Sequence, residues 1–245
     1  MSLAVIERPS PNFNERPEGR RPDILLLHYT GMASAEAAVA RLCDPAAKVS
    51  SHYLVDEAGR IIRMVHEHLR AWHAGVGHWA GESDINGCSI GIEIANGGHE
   101  FGSPPYPDIQ MRAVEALCRD ILSRHPIAPR RVLGHSDIAP GRKADPGEWF
   151  DWARLARAGI GLWVSPEPVI EGPGLRKGDR GDTVAELQFM LGDYGYGIEV
   201  LGRYDEATEA VVTAFQRHFR PERVDGVADV STVATLRRLL EAARA

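Results

Sequence analysis

The run Asp23-Ile24-Leu25-Leu26-Leu27-His28-Tyr29 is apolar at four consecutive positions. A strand of that kind is buried on both faces, so it belongs in the interior of a sheet with material packed above and below. His28 then sits at the end of a central strand. A second stretch far along the chain, Gly134-His135-Ser136-Asp137-Ile138-Ala139-Pro140-Gly141-Arg142-Lys143-Ala144-Asp145-Pro146-Gly147, is dense in Gly, Pro, Asp and basic residues. That composition suits an active-site loop as well as a surface turn held by Asx hydrogen bonds. Two imidazoles, His28 and His135, with the Asp145 carboxylate make a split ligand set. Such a set leaves a fourth tetrahedral position open on zinc, where a bound water is acidified to a pKa of roughly 7. A closed structural site needs a fourth protein ligand, so the pattern points to a zinc hydrolase.

Taken singly, each residue has a plainer reading. A lone histidine ending a strand is more often a satisfied polar residue than a ligand, and Asp145 before Pro146-Gly147 can cap a turn. The chain holds ten histidines, so one more carries little information. Their joint phrasing is what argues for a metal.

Around these stretches the N-terminal part alternates strand and helix signals. Ser34 is placed to cap a helix through Ala37, Ala38, Val39 and Leu42, halted by Asp44-Pro45. Ser51–Val55 and Arg60–Val65, joined through Glu57-Ala58-Gly59, read as a hairpin. Cys88–Ala95 alternates, with Ile90, Ile92 and Ile94 on one face and Ser89, Gly91, Glu93 and Ala95 on the other. Met111, Val114, Leu117, Cys118, Ile121 and Leu122 recur at helical spacing and predict an amphipathic helix over one sheet face. The fold class expected is α/β, a central mixed sheet flanked by helices.

From Ala158 to Gly174 the pattern dissolves into Gly, Pro, Ser and Glu, which is linker composition. The organisation expected is a catalytic domain over 1–160, a linker over 161–174 and a small three-helix domain over 175–245. Its helices are signalled by Val184, Leu187 and Leu191, by Val211, Val212 and Phe215 after a cap at Asp205, and by Val233, Leu236, Leu239 and Leu240 after Ser231. Gly202-Arg203-Tyr204-Asp205-Glu206-Ala207-Thr208 and Gly226-Val227-Ala228-Asp229-Val230-Ser231-Thr232 form a faint internal repeat.

With 44% hydrophobic and 25% charged residues the chain has ordinary globular make-up, and its net charge of -6 gives no reason to expect nucleic acid as partner. Cys43, Cys88 and Cys118 are an odd, scattered set, indicating neither a disulfide framework nor a thiolate cluster. No run approaches a membrane span, and the apolar part of Met1–Pro9 is too short for a signal peptide. A cytoplasmic location is therefore expected, or a periplasmic one if a leader has been removed.

Five segments in order, Leu27-His28-Tyr29-Thr30, Ser50-Ser51-His52-Tyr53-Leu54-Val55, Ala71-Trp72-His73-Ala74-Gly75, Ser89-Ile90-Gly91-Ile92-Glu93 and Gly134–Gly147, carry a specific resemblance. Together they resemble the zinc-dependent N-acetylmuramoyl-L-alanine amidases, the type 2 family related to phage lysozyme-type amidases and peptidoglycan recognition proteins. The resemblance covers about residues 20–160 and implies a mixed sheet with zinc in a surface groove. It implies that His28, His135 and Asp145 hold the zinc, that Glu93 is the catalytic acid/base and that Lys143 is a second catalytic residue. Asp at the third ligand position matches the bacterial branch, where other branches carry Cys. By residue pattern alone, Glu93 reads equally as a solvated glutamate on an exposed strand face, and Lys143 as a surface lysine. His52, Trp72, His73 and Trp79 are weaker candidates for lining a sugar and peptide groove, apolar packing explaining the tryptophans as well.

Residues 175–245 resemble the three-helix peptidoglycan-binding module through Leu175–Gln188, Gly202–Thr208 and Ala214-Phe215-Gln216. They depart from it at Tyr204 and in the longer, more basic Arg217-His218-Phe219-Arg220-Pro221-Glu222-Arg223. The function implied is hydrolysis of the amide between N-acetylmuramic acid, or its 1,6-anhydro form, and L-alanine of the stem peptide, with peptidoglycan or anhydro-muropeptides as substrate. The alternative is a non-catalytic muropeptide recognition protein. Neither oligomeric state nor the choice between sacculus and soluble fragment is legible at this level.

Overall fold

The computed structural model describes residues 3–244. In chain order the elements are β1 (Val5–Glu7), β2 (Phe13–Glu15), β3 (Ile24–Tyr29), α1 (Ala35–Leu42), β4 (Tyr53–Val55), β5 (Ile61–Arg63), β6 (Leu69–Ala71), α2 (Ile85–Cys88), β7 (Ser89–Ile94), α3 (Asp108–Arg124), β8 (Val132–Gly134), α4 (His135–Ile138) and α5 (Trp152–Arg157). After a stretch without regular structure come β9 (Gly174–Leu175), α6 (Asp182–Tyr194), α7 (Glu206–Phe219), β10 (Ala228–Asp229) and α8 (Val230–Arg244).

The main sheet runs β1-β5-β4-β7-β3-β8. Every pairing in it is parallel except the β4–β5 hairpin, so the sheet is mixed, as expected. That hairpin turns at Gly59, whose φ of +77° suits glycine and whose missing Cβ would stand 2.8 Å from the Ile109 carbonyl oxygen. Ile24, Leu25, Leu26 and Leu27 of β3 are fully buried, each leucine contributing roughly 2 kcal/mol by leaving water. Leu25, Leu27, Ile90, Ile92 and Ile94 point to one face, where Met111, Val114, Leu117 and Ile121 of α3 and Leu155 of α5 cover them. On the other face, α1 sits over Leu54 and Ala95, its N-terminus capped by Ser34 Oγ, which accepts the Ala37 N–H at 3.1 Å.

The C-terminal helices cover the remainder of that second face. Ile24, Leu26, Trp79, Leu133 and Ile138 share one apolar cluster with Val184, Leu191, Tyr194, Tyr196, Phe215 and Phe219. Leu162, Trp163 and Val164, from the irregular segment, pack against it. Trp79 is thus a core residue under the C-terminal helices and not a groove wall; its ring meets Tyr194 and Tyr196 edge-on at 5.8 and 5.0 Å.

The internal repeat has a physical basis. Gln188 of α6 accepts the N–H groups of Leu201 and Gly202 and donates to the Arg203 carbonyl and Thr208 Oγ1. Gln216 of α7 does the same for Asp225 and Gly226, Val227 and Thr232. Each repeat ends in an aspartate cap, Asp205 over Thr208 and Asp229 over Thr232. The cap of α8 is therefore Asp229, not Ser231: the N–H and the Oγ1 hydroxyl of Thr232 both donate to its Oδ1, while the Ser231 hydroxyl turns to the Glu167 carbonyl.

The end of α3 is tied to the sheet by Glu67. Its carboxylate accepts from Tyr53 OH at 2.7 Å and Arg124 Nη2 at 2.6 Å, with His125 Nε2 at 2.7 Å. Burial opposes ionisation, yet these hydrogen bonds outweigh it and bring the carboxyl from 4.5 down to about 2. A depressed carboxylate pKa stabilises the fold above the unfolded value, and the stabilisation is lost as pH falls from about 4.5 towards 2. Glu67→Gln is expected to flatten that acid limb and to remove on the order of 3 kcal/mol at pH 7, read by urea unfolding at stepped pH. An unchanged acid limb in the variant would place the acid sensitivity elsewhere.

Candidate active site

The site lies at the carboxyl ends of the parallel strands β3, β7 and β8, where open α/β sheets expose their crevices. Because side chains alternate along a strand, His28 follows Ile24 and Leu26 to the face away from α3. Glu93 opposes it on β7, the two being register partners. His135 begins α4 directly after β8, and the Ser136 N–H donates to the Asp145 carbonyl at 3.0 Å, which brings Asp145 alongside. Gly134 permits that approach: a Cβ there would lie 2.7 Å from Pro146 Cδ.

His28 Nδ1 stands 2.9 Å from His135 Nδ1 and 2.9 Å from Asp145 Oδ2, and His135 Nδ1 stands 3.0 Å from the same oxygen. All three side chains are buried. Each ring also has a partner at its far nitrogen. His135 Nε2 donates to the Ala74 carbonyl at 2.9 Å, and His28 Nε2 lies 3.0 Å from His73 Nδ1, whose own Nε2 is 3.2 Å from Ser89 Oγ. In the tautomers that carry the ring proton on Nε2, which these partners accept, both Nδ1 atoms direct lone pairs at the Asp145 oxygen. Burial, with His135 beside it, brings the His28 imidazole down to about 4, so it is neutral at pH 7. Three acceptors so arranged repel one another unless a cation lies among them. Two imidazoles and a carboxylate suit zinc, whose tetrahedral bonds of about 2.0–2.1 Å space ligand atoms about 3.3 Å apart. These three residues are the group among the described residues that could hold a metal ion.

Glu93 lines the same groove, a cavity of about 690 Å³ also walled by Tyr29, Trp72, His73, Arg142 and Lys143. Glu93 is not a solvated strand residue: its Oε2 is buried without a hydrogen-bond partner. Burial and then the neighbouring Asp145 push its pKa well above the ordinary 4.5, opposed by Lys143. Arg142 Nη2 donates to the Ala74 carbonyl at 2.9 Å and to the Val76 carbonyl, clamping the 74–76 loop beside His135. At the rim, Tyr29 stacks on Trp149 at 6.2 Å and its OH lies 3.0 Å from His99 Nδ1.

All five residues singled out from the sequence thus meet in one groove, and Trp72 also lines it. His52 does not; it is fully buried behind the site, its Nδ1 accepting the Gly91 N–H at 3.0 Å. His73, expected only as a groove liner, is the partner that orients His28. A Cβ on Gly91 would fall 2.6 Å from the His73 ring, so glycine there is a condition of that arrangement. Gly91→Ala is expected to displace His73 and weaken binding of cobalt, a spectroscopic stand-in for zinc, about ten- to a hundredfold. Unchanged cobalt affinity in that variant would remove His73 from the support of His28.

Comparison with known proteins agrees with this geometry. Residues 18–148 match the N-acetylmuramoyl-L-alanine amidase family, and residues 180–236 match a peptidoglycan binding domain. N-acetylmuramoyl-L-alanine amidase AmiD of Escherichia coli is 37% identical over 253 residues, covering 97% of this chain and 90% of that protein. The 1,6-anhydro-N-acetylmuramyl-L-alanine amidase AmpD of the same organism is 34% identical over 164 residues, covering 60% of this chain and 87% of the relative. The structure of E. coli AmiD in complex with the substrate anhydro-N-acetylmuramic acid-L-Ala-D-gamma-Glu-L-Lys superposes with a TM-score of 0.76 at 34% identity, over 94% of this chain and 97% of that one.

Proposed function

The chain belongs to the N-acetylmuramoyl-L-alanine amidase family, and we propose that it is a zinc enzyme whose preferred substrate is the 1,6-anhydro muropeptide of cell-wall recycling. The reaction is hydrolysis of the amide between N-acetylmuramic acid and the L-alanine of the stem peptide. The convergence of three ligand atoms beside half-buried Glu93, whose Oε2 is buried without a hydrogen-bond partner, in an open groove carries the reading.

His28, His135 and Asp145 would hold the zinc. When bound, zinc supplies a Lewis acid for the amide carbonyl and acidifies water for attack near neutral pH. Glu93 accepts the proton of the attacking water as the carbon–oxygen bond forms, and returns it to the nitrogen as the carbon–nitrogen bond breaks, so the stem peptide leaves as a neutral amine. Its raised pKa suits a group that must both take and give a proton near pH 7. Lys143, two residues before Asp145, offers its ammonium to the oxyanion of the tetrahedral intermediate, a contact of roughly 3 kcal/mol in the transition state. The preference for anhydro substrate is supported by the name of the AmpD relative and by the ligand of the AmiD complex.

Residues 1–160 are read as the catalytic domain, 161–174 as the linker and 175–245 as the peptidoglycan-binding-like domain, a division supported by the two family matches. The cytoplasm is the compartment proposed, because soluble anhydro fragments are met there; three free cysteines, two of them buried, are compatible with it. Among the described residues, no helix is long and apolar enough to cross a membrane.

Incubation with purified anhydro-muropeptides and with intact sacculi, with and without a chelator, tests the proposal by mass spectrometry of the products. The expected result is chelator-sensitive release of stem peptides beginning in L-alanine, faster from anhydro-muropeptides. Glu93→Gln should lower kcat about 10²- to 10⁴-fold while retaining muropeptide binding. Release that survives full removal of zinc, or undiminished turnover in Glu93→Gln, would contradict the assignment.

A further inference from the structure

Asp137 belongs to α4, two residues after His135, and it is fully buried. Its carboxylate receives three hydrogen bonds, and only one of them comes from the sheet side of the molecule. The Gly134 N–H donates to Oδ2 at 2.8 Å, closing the turn that presents His135. Tyr196 OH donates to Oδ1 at 2.8 Å, and His218 Nδ1 lies 2.7 Å from Oδ2, a donor by the logic that a carboxylate only accepts. Tyr196 follows α6 and His218 lies in α7, so both donors come from the C-terminal helices.

The His218 ring is held from both sides, stacked at 3.8 Å on Trp152 and at 3.8 Å on Phe219, and is itself buried. Tyr196 is packed against Trp79 at 5.0 Å. Such rigid donors transmit position, because neither ring can follow Asp137 if it moves. Without them a buried carboxylate beside His135 would keep a single hydrogen bond, a costly state that favours rearrangement of the loop. A second bridge reaches the groove rim: Arg217 Nε lies 3.6 Å from Glu148 Oε2, which is 3.1 Å from His99 Nε2, and His99 in turn meets Tyr29.

We propose that the C-terminal helices are a working part of the amidase centre, with His218 and Tyr196 as positioning residues that fix Asp137 and, through it, the loop carrying His135. This rests on the reading of His135 as a zinc ligand. It gives the helical unit a role separate from holding polymer.

The test uses the full-length protein. Zinc affinity, by competition with a chromophoric chelator, and thermal unfolding of the zinc-free form are measured for the wild type, Tyr196→Phe, His218→Phe, His218→Asn and Trp163→Ala. Tyr196→Phe deletes one oxygen and His218→Phe keeps the stacked ring, so both preserve packing. Each is expected to weaken zinc about ten- to a hundredfold. His218→Asn, whose side-chain amide N–H can stand in for Nδ1–H, recovers most of that loss. Trp163→Ala, which thins the packing without touching Asp137, lowers the unfolding temperature and leaves zinc affinity alone. Wild-type affinity in both Tyr196→Phe and His218→Phe, or an equal affinity loss in Trp163→Ala, overturns the proposal. A wild type that binds no zinc overturns the reading of the site itself and the inference with it, so the wild-type titration tells the two failures apart.

Discussion

Three hydrogen-bond acceptors within 3.0 Å of one another in a buried pocket are the condition around which the rest is arranged. The repulsion among His28 Nδ1, His135 Nδ1 and Asp145 Oδ2 has to be held by the scaffold until a cation neutralises it. Each donor is accordingly braced at its far end: His28 through His73 and Ser89, His135 through Ala74, Asp145 through its carbonyl to the Ser136 N–H. The glycines at 91 and 134 are small because ring and proline atoms occupy the space a Cβ would need. A pocket preorganised in this way suits a metal ion, and it opens onto the groove that Glu93 lines.

The sheet delivers this arrangement cheaply. Parallel strands align their carboxyl ends, so a histidine on β3, a glutamate on β7 and the turn after β8 meet without long loops. The apolar cluster then continues from the back of the sheet into the C-terminal helices, so the two parts share a core instead of being joined only by a tether. The Arg217–Arg223 segment, which departs from the resembled module, is where His218 and Arg217 reach the catalytic part. Arg220, fully buried, donates to Asp229 and Thr232 in the same region.

The apolar run made His28 legible as the end of a central strand, and alternation put Glu93 on the face away from the isoleucines, but only the family resemblance marked Glu93 as catalytic. The composition of the 134–147 loop made His135 and Asp145 legible as partners. What the sequence could not express was pairing between loops and helices far apart in the chain. Asp137 and His218 are 81 positions apart and obey no period, so nothing local announces their contact. His73 carried a motif but no sign that its ring would orient His28 as well as line the groove. Trp79 was ambiguous for the opposite reason, because an indole reads alike as a groove wall and as core, and here the shared cluster claims it. The helix that follows Ser231 is capped two positions earlier by Asp229, which the Asp-x-x-Thr phrase common to both repeats signals.

The central claim concerns where the metal sits and which atoms hold it. A crystal of the zinc-loaded protein, with anomalous diffraction collected on both sides of the zinc absorption edge, addresses it directly. The account predicts one zinc per chain, bonded to His28 Nδ1, His135 Nδ1 and Asp145 Oδ2 at about 2.0–2.2 Å with the remaining position facing Glu93 across the groove. Zinc bound elsewhere, held through the Nε2 atoms, or closed off by a fourth protein ligand would contradict it.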